Sequence, residues 1–290
     1  MATTNEWVAG ARPRTLPAAV APVLVGSAAA AHLDAFHLGH AALAAGIALA
    51  LQVGVNYAND YSDGVRGTDV DRVGPMRLTA SAAATPREVK TAAFAAFGVG
   101  ALLGLTLVAL TGQWWMLAVG VVAIVAGWTY TGGPKPYGYA GLGELGVFTF
   151  FGLVAVLGTT YTQAGRFSWP SLWGAISIGL LACALLMVNN LRDIPTDHLA
   201  GKRTLAVRIG DRKARRVFGL LVLVPFALVV PIAFSAPWAL ITLLLVPAAI
   251  ALALTVVIGA RGRLMGPVLA WTSMLELGYA VLLSLGLALS

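Results

Sequence analysis

Acidic and amide side chains are scarce in this chain, and they gather in two places. Residues 56–72 read NYANDYSDGVRGTDVDR, with four aspartates and two asparagines directly after the apolar run ALAAGIALALQVGV. Residues 189–197 read NNLRDIPTD and close a second apolar run. Asn59 and Asp63 stand four apart, and so do Asn189, Asp193 and Asp197. A helical end stacks each set on one face. Asp60, three before Asp63, is close enough to join the first set. Asp69 lies too far round to share that face in a continuing helix, but Gly64 and Gly67 let the chain leave helical geometry and fold Asp69 back. In the second stretch Pro195 lacks an amide N–H and crowds the carbonyl of Leu191, which predicts a kink.

Carboxylate and amide oxygens without His or Cys suit a hard cation. Mg²⁺ fits best, because it keeps its waters and is commonly held by a few carboxylates plus substrate phosphates. Basic residues follow each cluster: Arg72 and Arg77 in DRVGPMRLTAS, then Lys202, Arg203 and Arg208 in GKRTLAVRIG. Acids alone would hold a cation; acids with cationic side chains suit a metal-bound polyanion, most simply a diphosphate. The plain alternative is a set of solvated loop acids beside arginines that only mark topology. It accounts for one cluster more readily than for two matching ones at membrane depth, where ionisable groups usually mark function. No P-loop or GxGxxG pattern occurs, so a nucleotide is not indicated.

The elements that must position these groups are apolar. Of 290 residues, 59% are hydrophobic and 11% charged, against roughly a quarter charged in a soluble domain. Such a chain cannot cover a water-facing surface, and it reads as an all-α polytopic membrane protein with residues 1–290 forming one domain. Nine segments approach the ~20 apolar residues that a crossing helix needs: about 16–33, 40–60, 90–111, 114–131, 142–162, 171–190, 215–234, 237–259 and 267–288. Eighteen of the 19 Lys and Arg residues then fall on one side, with only Arg166 opposite. Positive charge marks the cytoplasmic side, which predicts a cytoplasmic N-terminus, an outside C-terminus, and both acidic clusters at cytoplasmic helix ends, after spans two and six. The net charge of +7 therefore reads as topology and lipid contact, and nucleic acid is excluded as a partner. Cys183 reads as a free buried thiol. The four histidines are scattered, which argues against zinc. Glu276, well inside the last span, needs a partner or a proton.

At this point the residues resemble a known family. NDYSD…D at 59–69 and NNLRDIPTD at 189–197 look like the two aspartate-rich motifs of UbiA-type intramembrane aromatic prenyltransferases, and the resemblance covers nearly the whole chain. WVAGARPRTLPAAVAPVLVG at 7–26, DRVGPMRLTAS at 71–81 and RDIPTDHLAGKRTLAVRIG at 192–210 are similar, more narrowly, to the branch acting on 1,4-dihydroxy-2-naphthoate in menaquinone biosynthesis. Many family members have three residues between the aspartates of the first motif; here five separate Asp63 and Asp69, a longer form that the naphthoate branch shares.

The resemblance implies a polyprenyl diphosphate donor, a dihydroxynaphthoate acceptor and Mg²⁺ held by Asp63, Asp69, Asp193 and Asp197, in a bacterial-type cell membrane. Asn59 and Asn189 would add neutral oxygens, and Arg72, Arg77, Lys202 and Arg203 would hold the diphosphate. Asp60 and Lys135 are further catalytic candidates, the latter in the Gly- and Pro-rich loop YTGGPKPYGYAGLGE at 130–144. Arg12 is a candidate for the acceptor carboxylate. Trp128, Tyr130, Phe148, Phe150 and Phe151 are candidates for lining the prenyl route, against the simpler role of an interfacial belt. The rival acceptors are 4-hydroxybenzoate and homogentisate, with haem more distant. A secondary transporter is the non-enzyme reading, disfavoured because both clusters sit at helix ends rather than at mid-membrane.

Overall fold

A computed structural model describes residues 2–68 and 76–290, with the side chain of Arg263 not described. Among the described residues the regular elements are all helical. In chain order they are α1 (Thr4–Gly10), α2 (Pro17–Ala31), α3 (Leu38–Val65), α4 (Pro86–Thr111), α5 (Met116–Thr129), α6 (Gly143–Ala164), α7 (Trp169–Leu199), α8 (Leu205–Ile209), α9 (Asp211–Ala233), α10 (Pro237–Ile258) and α11 (Met265–Ala288). Local chemistry sets several boundaries. Thr85 and Glu88 form a reciprocal capping box at the start of α4, and Ser168 with Ser171 does the same for α7. Gly112 ends α4 at φ 70°, a left-handed conformation that a side chain would strain.

All nine predicted apolar segments are helical, but they differ in length. Seven helices, α3, α4, α6, α7, α9, α10 and α11, are long and apolar enough to cross a membrane. The first segment forms an eighth candidate only together with residues Thr4–Thr15, from which α2 bends by 49°. Helix α5 has 14 residues, about 21 Å of rise against a ~30 Å hydrocarbon layer. Helix α7 continues through Pro195 to Leu199. Asn189, Asp193 and Asp197 therefore do share one helical face.

Helix α7 is the centre of the packing. It lies against α2, α6, α9 and α11, and 72% of its most apolar 18-residue window is buried. Ile178, Leu181, Met187 and Val188 on α7 join Val25, Val156, Phe218, Val256, Tyr279 and Leu283 in one large core. Where α6 crosses α7 the backbones touch. A Cβ on Gly152 would stand 2.6 Å from the Cα of Gly179, so neither helix tolerates a side chain there. This contact lies within a π-helical stretch of α6, Phe148–Val154. Helices α3, α4 and α5 form a separate arm held by a small cluster of Ala58, Ala93 and Phe97, with Leu51, Val55 and Trp128 packed against it. A cavity of about 520 Å³ lies between that arm and α2, α6 and α7.

Candidate active site

The mouth of this cavity is where the two motifs come together. Asn59 on α3 and Asn189 on α7 both line it, with Arg12, Tyr130 and Tyr137. Below them the walls are apolar: Leu51 and Val55 from α3, Val108 from α4, Ile124 from α5, and Phe150, Phe151 and Val154 from α6. Leu105, Leu117 and Val121 line the cavity while remaining exposed on the outer surface. Of the aromatic candidates, Tyr130, Phe150 and Phe151 line it. Trp128 stacks instead with Tyr61 and Phe94, and Phe148 packs on Gly179. Part of the polar lining is a small network in which Gln52 Nε2 donates to Thr15 Oγ1 (3.3 Å) and Asn56 Nδ2 donates to the Ala11 carbonyl (2.9 Å).

Just above the asparagines, Asp63 is 5% exposed and surrounded by donors. Lys202 Nζ lies 3.0 Å from its Oδ1, and the Tyr139 hydroxyl donates to that same oxygen. Its Oδ2 faces Arg77 at 3.9 Å. Burial first, and then the Asp63 charge, push the Tyr139 phenol upward from its ordinary value, so it stays protonated and acts as a donor. The Tyr139 ring also receives two cations, Lys202 Nζ at 4.7 Å and the Arg66 guanidinium at 5.3 Å from its centroid. Lys202 follows the second motif in sequence, and its amide donates to the Asp197 carbonyl (2.8 Å). A residue from beyond α7 thus reaches the carboxylate at the end of α3. On α7 itself, Asp193 is gripped by Arg192 in a fork, Nε to Oδ1 at 2.6 Å and Nη2 to Oδ2 at 2.8 Å. Asp197 is buried a turn further on.

Asp60, the other catalytic candidate on α3, has a different set of partners. It is 1% exposed, and its two oxygens accept the backbone amides of Leu78 (2.8 Å) and Thr79 (2.9 Å). Both lobes are committed to the chain beyond the first motif, which makes Asp60 an anchor of that segment. Lys135 and the Arg203 side chain are exposed; what Arg203 brings to the site is its amide, which donates to the Tyr139 carbonyl (2.9 Å). Asp69 and Arg72 lie outside the described residues. Sequence reasoning missed Tyr139, Arg66, Thr131 and Arg192. Arg66 donates to the carbonyls of Thr131 and Gly133, and Thr131 Oγ1 donates to Asn59 Oδ1 (2.7 Å). These contacts strap the 130–142 loop over the end of α3. The only signal for them was the loop's unusual Gly and Pro content.

Among the described residues no three His, Cys, Asp or Glu side chains gather as a ready metal cage. Mg²⁺ does not require one, because it retains waters and takes one or two carboxylates plus substrate phosphates. The donors present are all hard oxygens, and the chemistry of the set fits that ion.

The comparisons agree with this architecture. The model of the UbiA prenyltransferase family matches residues 19–274. A Mycobacterium tuberculosis protein named 1,4-dihydroxy-2-naphthoate octaprenyltransferase is 52% identical over 99% of this chain and 98% of its own. Its namesake from Mycobacterium leprae is 46% identical over 100% and 98%. A solved UbiA homologue from Archaeoglobus fulgidus, bound to DMAPP and Mg²⁺, superposes with a TM-score of 0.62 at 16% identity, covering 96% of this chain and 99% of that one. That likeness speaks for the fold. The chain belongs to the UbiA prenyltransferase family, and it is an integral membrane enzyme that transfers prenyl groups.

Proposed function

We propose that this enzyme transfers a polyprenyl group from its diphosphate to 1,4-dihydroxy-2-naphthoate with loss of CO₂, giving demethylmenaquinone in its reduced form. The observation that carries the reading is the junction of a buried acid–base cluster, Asp63 with Lys202 and Tyr139, with an apolar cavity whose mouth holds Asn59 and Asn189. A diphosphate head and a hydrocarbon tail need those two environments side by side. The names of the relatives supply the acceptor.

In this reading the tail lies along Leu51, Val55, Phe150 and Phe151, and leaves toward lipid past Leu105 and Val121. Lys202 and Arg77 face the diphosphate, with Arg72 as a further contact. Mg²⁺, held by Asp63, Asp193 and Asp197 with Asp69 as a fourth ligand, would neutralise the leaving diphosphate. The C–O bond breaks, diphosphate departs with the electron pair, and an allylic cation remains. Apolar walls keep water from that cation. The electron-rich ring attacks through the carbon bearing the carboxylate. The bond to the carboxylate then breaks, CO₂ leaves, and its electron pair restores the aromatic ring. Arg12, on the cavity wall, holds the acceptor carboxylate before that step. We place the site on the cytoplasmic side, in a bundle of nine crossings with an outside C-terminus, on the distribution of Lys and Arg.

Purified enzyme in lipid nanodiscs is to be given a polyprenyl diphosphate with each candidate acceptor, with and without chelator. Product from the naphthoate alone, release of label from its carboxyl group, and loss of both on chelation are expected. Product from 4-hydroxybenzoate or homogentisate instead reassigns the acceptor, and metal-independent turnover removes the role given to the aspartates.

A further inference from the structure

The Tyr139 side chain touches both the acid and two of the bases of the site. Its hydroxyl donates to Asp63 Oδ1, the oxygen that also receives Lys202 at 3.0 Å. Both donors meet the same oxygen, and among the described residues Oδ2 is approached by Arg77 at 3.9 Å. The aromatic ring seats the Lys202 ammonium and the Arg66 guanidinium. The backbone of Tyr139 is held from two directions: Arg203 N–H donates to its carbonyl, and Arg66 and Thr131 strap the loop's start to α3.

We propose that Tyr139 is a positioning residue for the acidic site. Its phenol turns Asp63 so that one carboxylate oxygen stays available to a hard cation, and its ring holds Lys202 where a diphosphate can take it over. This rests on the reading of Asp63 as a metal ligand in prenyl transfer. Tyr139 itself contacts neither ion nor ring of the acceptor; it acts through Asp63 and Lys202.

The test separates hydroxyl from ring. Mn²⁺ binding is read by electron paramagnetic resonance, in the presence of an unreactive prenyl thiolodiphosphate, on the parent, Tyr139→Phe and Tyr139→Leu. Removing a hydrogen bond to a charged group predicts a half-saturating Mn²⁺ concentration raised about tenfold in Tyr139→Phe, with the donor KM changed less than about threefold. Tyr139→Leu is expected to add a rise in donor KM, because Lys202 and Arg66 lose their seat. Unchanged Mn²⁺ binding in Tyr139→Phe overturns the proposal. If the Phe variant is not monodisperse, Tyr139→Trp, which keeps a ring without the hydroxyl, reads the same split. Asp63→Asn is run in parallel. Full Mn²⁺ affinity in Asp63→Asn sinks the metal-ligand reading itself, whereas a loss there beside an indifferent Tyr139→Phe sinks only the role given to Tyr139.

Discussion

The two acidic helix ends share a sequence pattern and little else. The first ends α3, whose most apolar window is only 17% buried within the protein; the second lies on α7, where the figure is 72%. Asp193 is matched by its own neighbour Arg192. Asp63 is matched by Lys202 and Tyr139, which lie 139 and 76 residues away in the chain. One end thus has a cation from its own helix, one residue away. The other acquires its partners only when the arm of α3–α5 docks and two loops close over it. A carboxylate whose partners arrive with assembly is the better reporter of a formed site, and the one whose environment a substrate can rearrange.

Substitutions can break or sharpen that contrast. The largest effect is expected from Asp63→Ala, a loss of ~10³-fold in kcat by removal of a group acting on developing charge. It leaves Lys202 without its carboxylate. Asp193→Ala should match it in turnover. It differs in stability, because it strands Arg192 on the central helix, and the melting temperatures of the two variants would show this. Next comes Lys202→Ala, with ~10²-fold lower kcat/KM for the diphosphate; an unchanged value would detach Asp63 from substrate recognition. Asp60→Ala should act on folding instead. The buried Leu78 amide loses its acceptor, at about 1–3 kcal/mol, the half-buried Thr79 amide loses its own at a smaller cost, and the melting point falls while turnover per folded molecule is retained. Should Asp60→Ala stay fully folded and lose turnover, Asp60 returns to the catalytic list. The smallest change is expected for Lys135→Ala, whose side chain is exposed: less than about twofold in kcat/KM, as for surface positions away from special features. A large drop there would mean that the loop closes further when substrate binds.

Much of this was legible in the sequence, for reasons that are local. Runs of apolar residues become helices wherever the backbone must satisfy itself, so all nine segments could be read. Residues four apart share a helical face, so the Asn–Asp stripes could be read too. Three things could not. Asp60 and Asp63 are three residues apart in one helix, yet one accepts amides and the other meets cations; that depends on where residues 77–79 and 202 come to lie. Pro195 predicts a kink, but how far α7 continues beyond it, to Leu199, is not written in the local sequence. Tyr139 acts through its tertiary position alone, and one aromatic residue in a glycine-rich loop carries no pattern.

The wide-turned stretch in α6 has a geometric consequence. The cavity wall on this helix is built from Val147, Phe151, Ala155 and Thr159, and from Phe150, Val154, Gly158 and Thr162, two rows with a period of four. In a regular α-helix four residues overshoot a full turn by about 40°, and such rows would wind away from the cavity. The π turns at Phe148–Val154 take up the surplus and hold both rows parallel to the space they enclose. Deleting one residue there would unwind the wall rather than shorten it.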